Sequence, residues 1–268
     1  MILITDEVAQ RLELAEAADA ADCAKAAALL EPERGAAAKP VSGGYLTFCG
    51  PASPLTHAIG VGLTGRVSVD ELDEIEEFFI SRDAPVTIDV TPFTDPSLRE
   101  MLSERGYRIS DFSSVLVRSV RTDETPPQWP SKARVRIAFA GESDLYSRTV
   151  VSGFLSRHDL NEEELMLGRI LFQMPSAKAL LAEIDGEVAG GCGLSIRNGL
   201  ACCFGDSTLP VFRGMGIHAA MICARIGEAI CAGCDLMTAT TQPGSTSQRN
   251  YQRLGFTVAY SKITMVQA

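Results

Sequence analysis

The chain of 268 residues has no long uncharged apolar run, and no basic segment precedes an apolar core at its N-terminus. Neither a bilayer-crossing helix nor a secretion signal is expected, so the default placement is cytoplasmic with no membrane partner. Positive charge is also short, with 24 Lys and Arg against 34 Asp and Glu for a net charge of −10. The deficit lies in the first half: residues 1–130 carry 11 basic against 22 acidic side chains, and residues 131–268 carry 13 against 12. With no basic stripe to neutralise phosphates, nucleic acid is excluded as a partner. Histidine is scarce, and His57, His158 and His218 lie far apart in sequence. The single C-x-x-C, Cys231 to Cys234, has no second pair to complete a zinc site. It also falls at the predicted end of a helix, whereas a helix start would stabilise a thiolate. No metal is expected, and the eight cysteines read as reduced core residues. A Gly-Lys-Ser/Thr loop and a G-x-G-x-x-G turn are both missing, which argues against a P-loop or a dinucleotide fold.

What the chain does have is 46% hydrophobic residues, enough for a substantial core in one large or two ordinary domains. Its most informative stretch is Leu209-Pro210-Val211-Phe212-Arg213-Gly214-Met215-Gly216-Ile217-His218. An apolar run at 200–209 precedes it, and residues 217–232 repeat apolar side chains at helical spacing without proline. Gly214 and Gly216 allow a tight turn, and the unpaired amides of the following helix face whatever sits there, which makes an anion cradle. Downstream, 234–241 reads as a buried strand, 245–253 as a short helix, and Leu254-Gly255-Phe256 as its stop before a last strand. Upstream, 134–139 alternates like a strand, 143–152 and 162–174 look helical, and 179–184 with 188–196 form a hairpin around Asp185-Gly186. The proline-rich segment 121–131 reads as a seam. In the first half, 86–90 reads as a strand and 96–104 as a helix. The acidic run 70–77 reads as the solvated face of a helix whose buried stripe is Leu72, Ile75 and Phe79.

Arg213-Gly214-Met215-Gly216-Ile217-His218 and Tyr251-Gln252-Arg253-Leu254-Gly255-Phe256 together resemble the GCN5-related N-acetyltransferases. Their order and separation match that family's Q/R-x-x-G-x-G/A loop and its Tyr-x-x-x-Gly-Phe segment. His218 departs from the pattern, standing where the family has Gly or Ala. It reads as a helix-start residue near the phosphates with its ring pointing outward, not as a catalytic base. The resemblance implies acetyl-CoA as co-substrate and an amine acceptor, with the pyrophosphate on Arg213, Gly214, Met215, Gly216, Ile217 and His218. The pantetheine and thioester carbonyl would lie on the backbone at Thr208, Leu209 and Val211, with Asn250 as a further contact.

Tyr251 stands at the family's position for the acid that protonates the thiolate; its other reading is an aromatic packing a short helix on the sheet. Asp206 would accept the amine proton, or serve as a structural turn carboxylate. Gly106 and Gly255 lie 149 residues apart, and the same shift sets Gly65 near Gly214, so the first half reads as a worn copy of the second. The expected fold class is α/β (α+β): two tandem acyl-CoA N-acyltransferase-like domains, each a mixed, mostly antiparallel sheet flanked by helices. The expected boundaries are 1–125 for a degenerate domain and 131–268 for the domain that binds acetyl-CoA. In the first copy Val67, Asp70 and Glu71 replace the open cradle, and like charges would repel a pyrophosphate. The expected activity is acetyl transfer to a primary amine by direct attack in a ternary complex. A non-catalytic acyl-CoA-binding or protein-interaction module is the other reading, and dimerisation is left open.

Overall fold

The computed structural model describes residues 2–267. The chain divides into two compact units, one running to Val115 and resuming at Ala259, the other comprising Leu116–Val258. The proline-rich segment therefore belongs to the second unit.

The first unit opens with α1 (Asp6–Leu30), which the sequence reading did not anticipate. Thr5 caps it by accepting from the Val8 amide at 3.3 Å, and Asp6 and Glu7 complement the positive end of its dipole. Its buried face is built largely of alanine, so it carries little of the large-side-chain periodicity that marks an amphipathic helix. Strands β1 (Ala37–Val41) and β2 (Gly44–Phe48) pair antiparallel across Ser42-Gly43, both at positive φ. Next come β3 (His57–Ile59), α2 (Val69–Ile80), β4 (Thr87–Val90), α3 (Pro96–Glu104) and β5 (Arg108–Ser119). β3 lies antiparallel to β2 and parallel to β4. The other neighbour of β4 is β11 (Thr257–Val266), antiparallel with Ile263 opposite Val90. Leu72, Ile75 and Phe79 of α2 fill this unit's core, as the spacing of the acidic run implies, and Phe78 joins them.

A buried polar cluster ties β11 to α1 within this unit. Lys262, 4% exposed, donates to Glu16 Oε1 at 2.7 Å and Glu13 Oε2 at 3.4 Å, and the Tyr260 hydroxyl donates to Glu13 Oε1 at 2.7 Å. Burial opposes the Lys262 charge, but Glu13, Glu16 and Asp89 outweigh it and hold the ammonium protonated.

The second unit contains β6 (Arg134–Ile137), α4 (Ser143–Leu155), α5 (Glu162–Gln173), β7 (Ala177–Ile184), β8 (Glu187–Arg197), β9 (Leu200–Thr208), α6 (Ile217–Cys231), β10 (Leu236–Thr241) and α7 (Thr246–Arg253). Strands β6 to β9 pair antiparallel in sequence, and β10 lies parallel to β9. Asp185 and Gly186 both take positive φ, 51° and 86°, giving the two-residue hairpin their identities call for. The core of the unit lies between α6 and the sheet, with Ile217, Met221, Ile222 and Ile226 against Leu194, Ala201 and Met237.

One local feature recurs in both units. In each, the segment entered by α3 or α7 stops in the same way: Tyr107 N donates to Leu102 O at 3.0 Å, and Phe256 N to Tyr251 O at 3.1 Å. Gly106 and Gly255 take φ of 76° and 88° there, a conformation that glycine adopts without the Cβ penalty.

Candidate active site

The β8–β9 ladder slips between Gly191 and Gly193, and Gly205 in the slipped segment has φ 66°. Such a bulge re-aims the side chains beside it, and Asp206 is the next residue. β9 then ends: Pro210 has no amide to continue the ladder, and one turn of 3-10 helix at Pro210–Phe212 leads into the glycine turn. Gly214 has φ 81°, and a Cβ there would meet open space. Gly216 has φ 77° and caps α6; a Cβ on it would come within 3.0 Å of the Trp129 ring. The first backbone bond into the helix is Ala220 N to Gly216 O at 3.0 Å, so the Ile217, His218 and Ala219 amides have no intrahelical acceptor and present a positive helix end.

The turn borders a cleft of ≈ 930 Å³ that also receives Asp206, Ser207, Thr208, Phe212, Arg213, Met215, His218, Asn250 and Arg253. Of the residues expected from sequence, Thr208, Arg213, Gly214, Met215, Gly216, Ile217, His218, Asn250 and Asp206 line it, whereas Leu209, Val211 and Tyr251 do not. Val211 is 73% exposed and Tyr251 is fully buried. Arg213 is folded back on α4: its Nη2 donates to Gly153 O at 2.7 Å and Ser156 Oγ at 3.0 Å, so its charge sits at that helix's negative end. Trp129 and Pro130 close one side of the cleft, and Ser131 Oγ donates to Met215 O at 2.9 Å. The proline content of this segment implies a seam, but it packs against the glycine turn through a contact across more than eighty residues.

Behind the cleft wall sits a buried charge. Arg225 on α6 has no exposed side-chain surface and donates to Gly193 O at 3.2 Å, to Met221 O at 3.3 Å and to Asp206 Oδ1. Asp206 Oδ2 accepts from the Tyr251 hydroxyl at 2.6 Å. Burial by itself would raise the Asp206 carboxyl, but Arg225, then His218 and Tyr251, hold it well below the usual carboxylate range. Burial, opposed by Arg225 and reinforced by Asp206, pushes the Tyr251 phenol well above its ordinary value.

The His218 ring turns inward, contrary to the expectation that it leaves the helix pointing outward. Its side chain is 16% exposed, its Nε2 lies 3.5 Å from Asp206 Oδ1, and its Nδ1 lies 3.0 Å from Asn250 Nδ2. The reason is that His218 and Arg225, seven residues apart, share one helix face, and both turn toward the same half-buried carboxylate.

The equivalent turn in the first unit is closed by its own side chains. Ser68 caps α2, and Glu71 accepts from the Ser68 amide at 2.7 Å and the Ser42 hydroxyl at 2.7 Å. The backbone bond to Ser68, followed by the two hydroxyls, lowers the Glu71 carboxyl, so a carboxylate already occupies that helix start. Cys231 is exposed and Cys234 buried, and no group of His, Cys, Asp and Glu that could hold a metal occurs among the described residues. No helix among them is long and apolar enough to cross a membrane.

With this geometry in hand, comparison with known proteins is decisive for the second unit: the sequence model of the acetyltransferase (GNAT) family matches residues 145–256. This segment carries the GNAT sequence pattern. Its match spans the bulged strand β9, the glycine turn, α6 and the Tyr251–Phe256 closure.

The fold is also that of GNAT proteins. A GCN5-related N-acetyltransferase from Kribbella flavida superposes with a TM-score of 0.65 at 19% identity, over 92% of this chain and 95% of that one. A second, from Sphaerobacter thermophilus, gives 0.52 at 20% identity, over 68% of this chain and 60% of that one. A tandem GNAT protein from the clavulanic acid biosynthesis pathway gives 0.55 at 14% identity, over 74% and 68%. No curated protein sequence matches the chain. GNAT domains move an acyl group from acyl-CoA to an amine, and the second unit has the fold for that transfer.

Proposed function

We propose that the second unit binds acetyl-CoA in the cleft beside α6 and transfers its acetyl group to a primary amine by direct attack in a ternary complex. One observation carries the reading: within a GNAT segment, Gly214 and Gly216 take positive φ and open a 15-residue helix whose first amides have no intrahelical acceptor. The absence of a Cβ at Gly214 leaves room for a phosphate to approach backbone, and the helix end supplies the complementary charge.

In this reading the amides of Gly214 to Ala219 hold the pyrophosphate, with Arg213 supplying charge at its edge. The backbone from Thr208 to Val211 takes the pantetheine and polarises the thioester carbonyl, and Asn250 is a further polar contact. The bound acetyl-CoA supplies the activated acyl carbon. Asp206, held as a carboxylate by Arg225, orients the polar groups facing the cleft, and Tyr251 is a proton donor only by leaving its bond to Asp206. That bond is also what favours a second reading, binding of acyl-CoA without turnover, with Asp206, Arg225 and Tyr251 serving only to hold the sheet and helices together.

Acetyl-CoA titration by calorimetry, with the quenching of Trp129 fluorescence as a second signal, tests the binding. Trp129 is the chain's sole tryptophan and lines the cleft. Thiol release with a panel of primary amines then separates the readings. Amine-dependent CoA release supports catalysis, tight binding with no release supports the second reading, and no binding refutes both.

A further inference from the structure

The orientation of His218 is legible from its neighbours. Asn250 Oδ1 accepts from Arg253 Nη1 at 3.1 Å, which fixes the amide so that Nδ2–H points at His218 Nδ1, 3.0 Å away. Nδ1 is then an acceptor, and the ring proton belongs on Nε2. That nitrogen is buried, has no hydrogen-bond partner among the described residues, and lies 3.5 Å from Asp206 Oδ1, close enough for a small shift to join them. Asp206 is itself anchored by Arg225 and Tyr251. The arrangement is carboxylate, then Nε2–H, then an Nδ1 lone pair already meeting an N–H donor from a residue that lines the cleft. An orienting carboxylate behind an imidazole whose far nitrogen is basic is the geometry of a general base.

Resting on the acetyl-transfer reading, we propose that His218 is its general base, that Asp206 is the positioning residue behind it, and that the Asn250 amide marks where the acceptor's N–H enters. In the step, the amine lone pair forms the C–N bond to the acyl carbon and the C–S bond breaks. The amine proton passes to His218 Nδ1, whose lone pair forms the new N–H bond, and the departing sulfur takes that proton to leave as the thiol. Asp206 faces the resulting imidazolium at Nε2 and keeps its own charge. The other ionisable groups around the ring are Tyr251 and Arg253 on α7 and Arg225 on α6 itself.

The assignment is tested first on the free protein. Long-range ¹H–¹⁵N spectra of histidine-labelled protein, with the His218 signal identified by its loss in His218→Gln, should show the Nε2–H tautomer; an Nδ1–H tautomer overturns the proposal. Thiol release from acetyl-CoA with the fastest amine of the panel is the second measurement. His218→Gln should lower kcat about 100-fold, as removal of a general base does. Its acetyl-CoA KM should stay within about threefold of wild type, the acidic limb of the pH–rate profile should vanish, and imidazole should partly restore His218→Ala. A kcat within about twofold of wild type with an unchanged pH profile overturns the proposal, as does a wild type that binds acetyl-CoA but releases thiol with no amine. A wild type that fails to bind acetyl-CoA refutes the function reading as well, and the binding measurement tells the two failures apart.

Discussion

Replacing Arg225 with methionine keeps an unbranched, though shorter, apolar side chain and removes the charge, leaving Asp206, 15% exposed, with the Tyr251 hydroxyl at 2.6 Å and His218 at 3.5 Å. Breaking a buried ion pair from one side costs about 3–5 kcal/mol, because the remaining charge has lost both water and partner. Tyr251 still donates to the carboxylate, so the lower end, about 3 kcal/mol, is the expected loss. At roughly 3 °C per kcal/mol for a protein of this size, Tm falls by about 10 °C at pH 7.

The pH dependence follows from the same pair. In the wild type the native Asp206 carboxyl lies below its unfolded value of about 3.9, so its contribution is complete above that value and is lost as pH falls through the lower native one. Without Arg225 burial prevails and the native carboxyl rises above about 3.9. The variant's penalty is then fully present above the raised native value and fades as the group protonates in acid. Other groups titrate alike in both proteins, so the Tm difference should narrow between pH 7 and pH 4.5 in melts followed by circular dichroism. A loss under about 1 kcal/mol at pH 7, or a gap that widens in acid, refutes the argument. Asp206→Leu combined with Arg225→Met should recover most of the lost stability, since removing both charges leaves none uncompensated.

Gly216→Ala, which meets Trp129 at 3.0 Å and must hold a positive φ, should weaken acetyl-CoA binding at least tenfold by calorimetry. Gly214→Ala faces open space and should cost folding only about 1 kcal/mol, any loss of affinity coming from its methyl group in the cleft. Acetyl-CoA should bind with a stoichiometry of one per chain. Ser68→Ala, which removes the α2 cap at about 1 kcal/mol, should leave that number unchanged, and two sites would contradict the closed first cradle. Lys262→Met strands the buried Glu13 and Asp89 without their cation and should lower stability by about 3 kcal/mol in chemical unfolding.

Much of the molecule was legible from local chemistry. The turn at Asp185-Gly186, the stop at Gly255 and the strand-to-helix turn at Gly214 and Gly216 each follow from what a few adjacent residues permit in φ, ψ and hydrogen bonding. The matching stops at Gly106 and Gly255 follow for the same reason, because equal turns demand equal residues. Helix α1 escaped because alanine packs a helix closely against a sheet without large apolar side chains at regular intervals.

The site is where sequence and tertiary structure part. The residue types at Arg213 to His218 and at Tyr251 to Phe256 were enough to place a glycine turn opening a helix and a short helix carrying a phenol, since each is contiguous in the chain. That Asp206, His218, Arg225 and Tyr251 meet at one carboxylate was decided only when β9, α6 and α7 came together, and that meeting turned His218 inward. The physical reason is range: backbone conformation answers to neighbours in the chain, whereas a buried charge selects its partners from whatever the fold brings within a few ångströms.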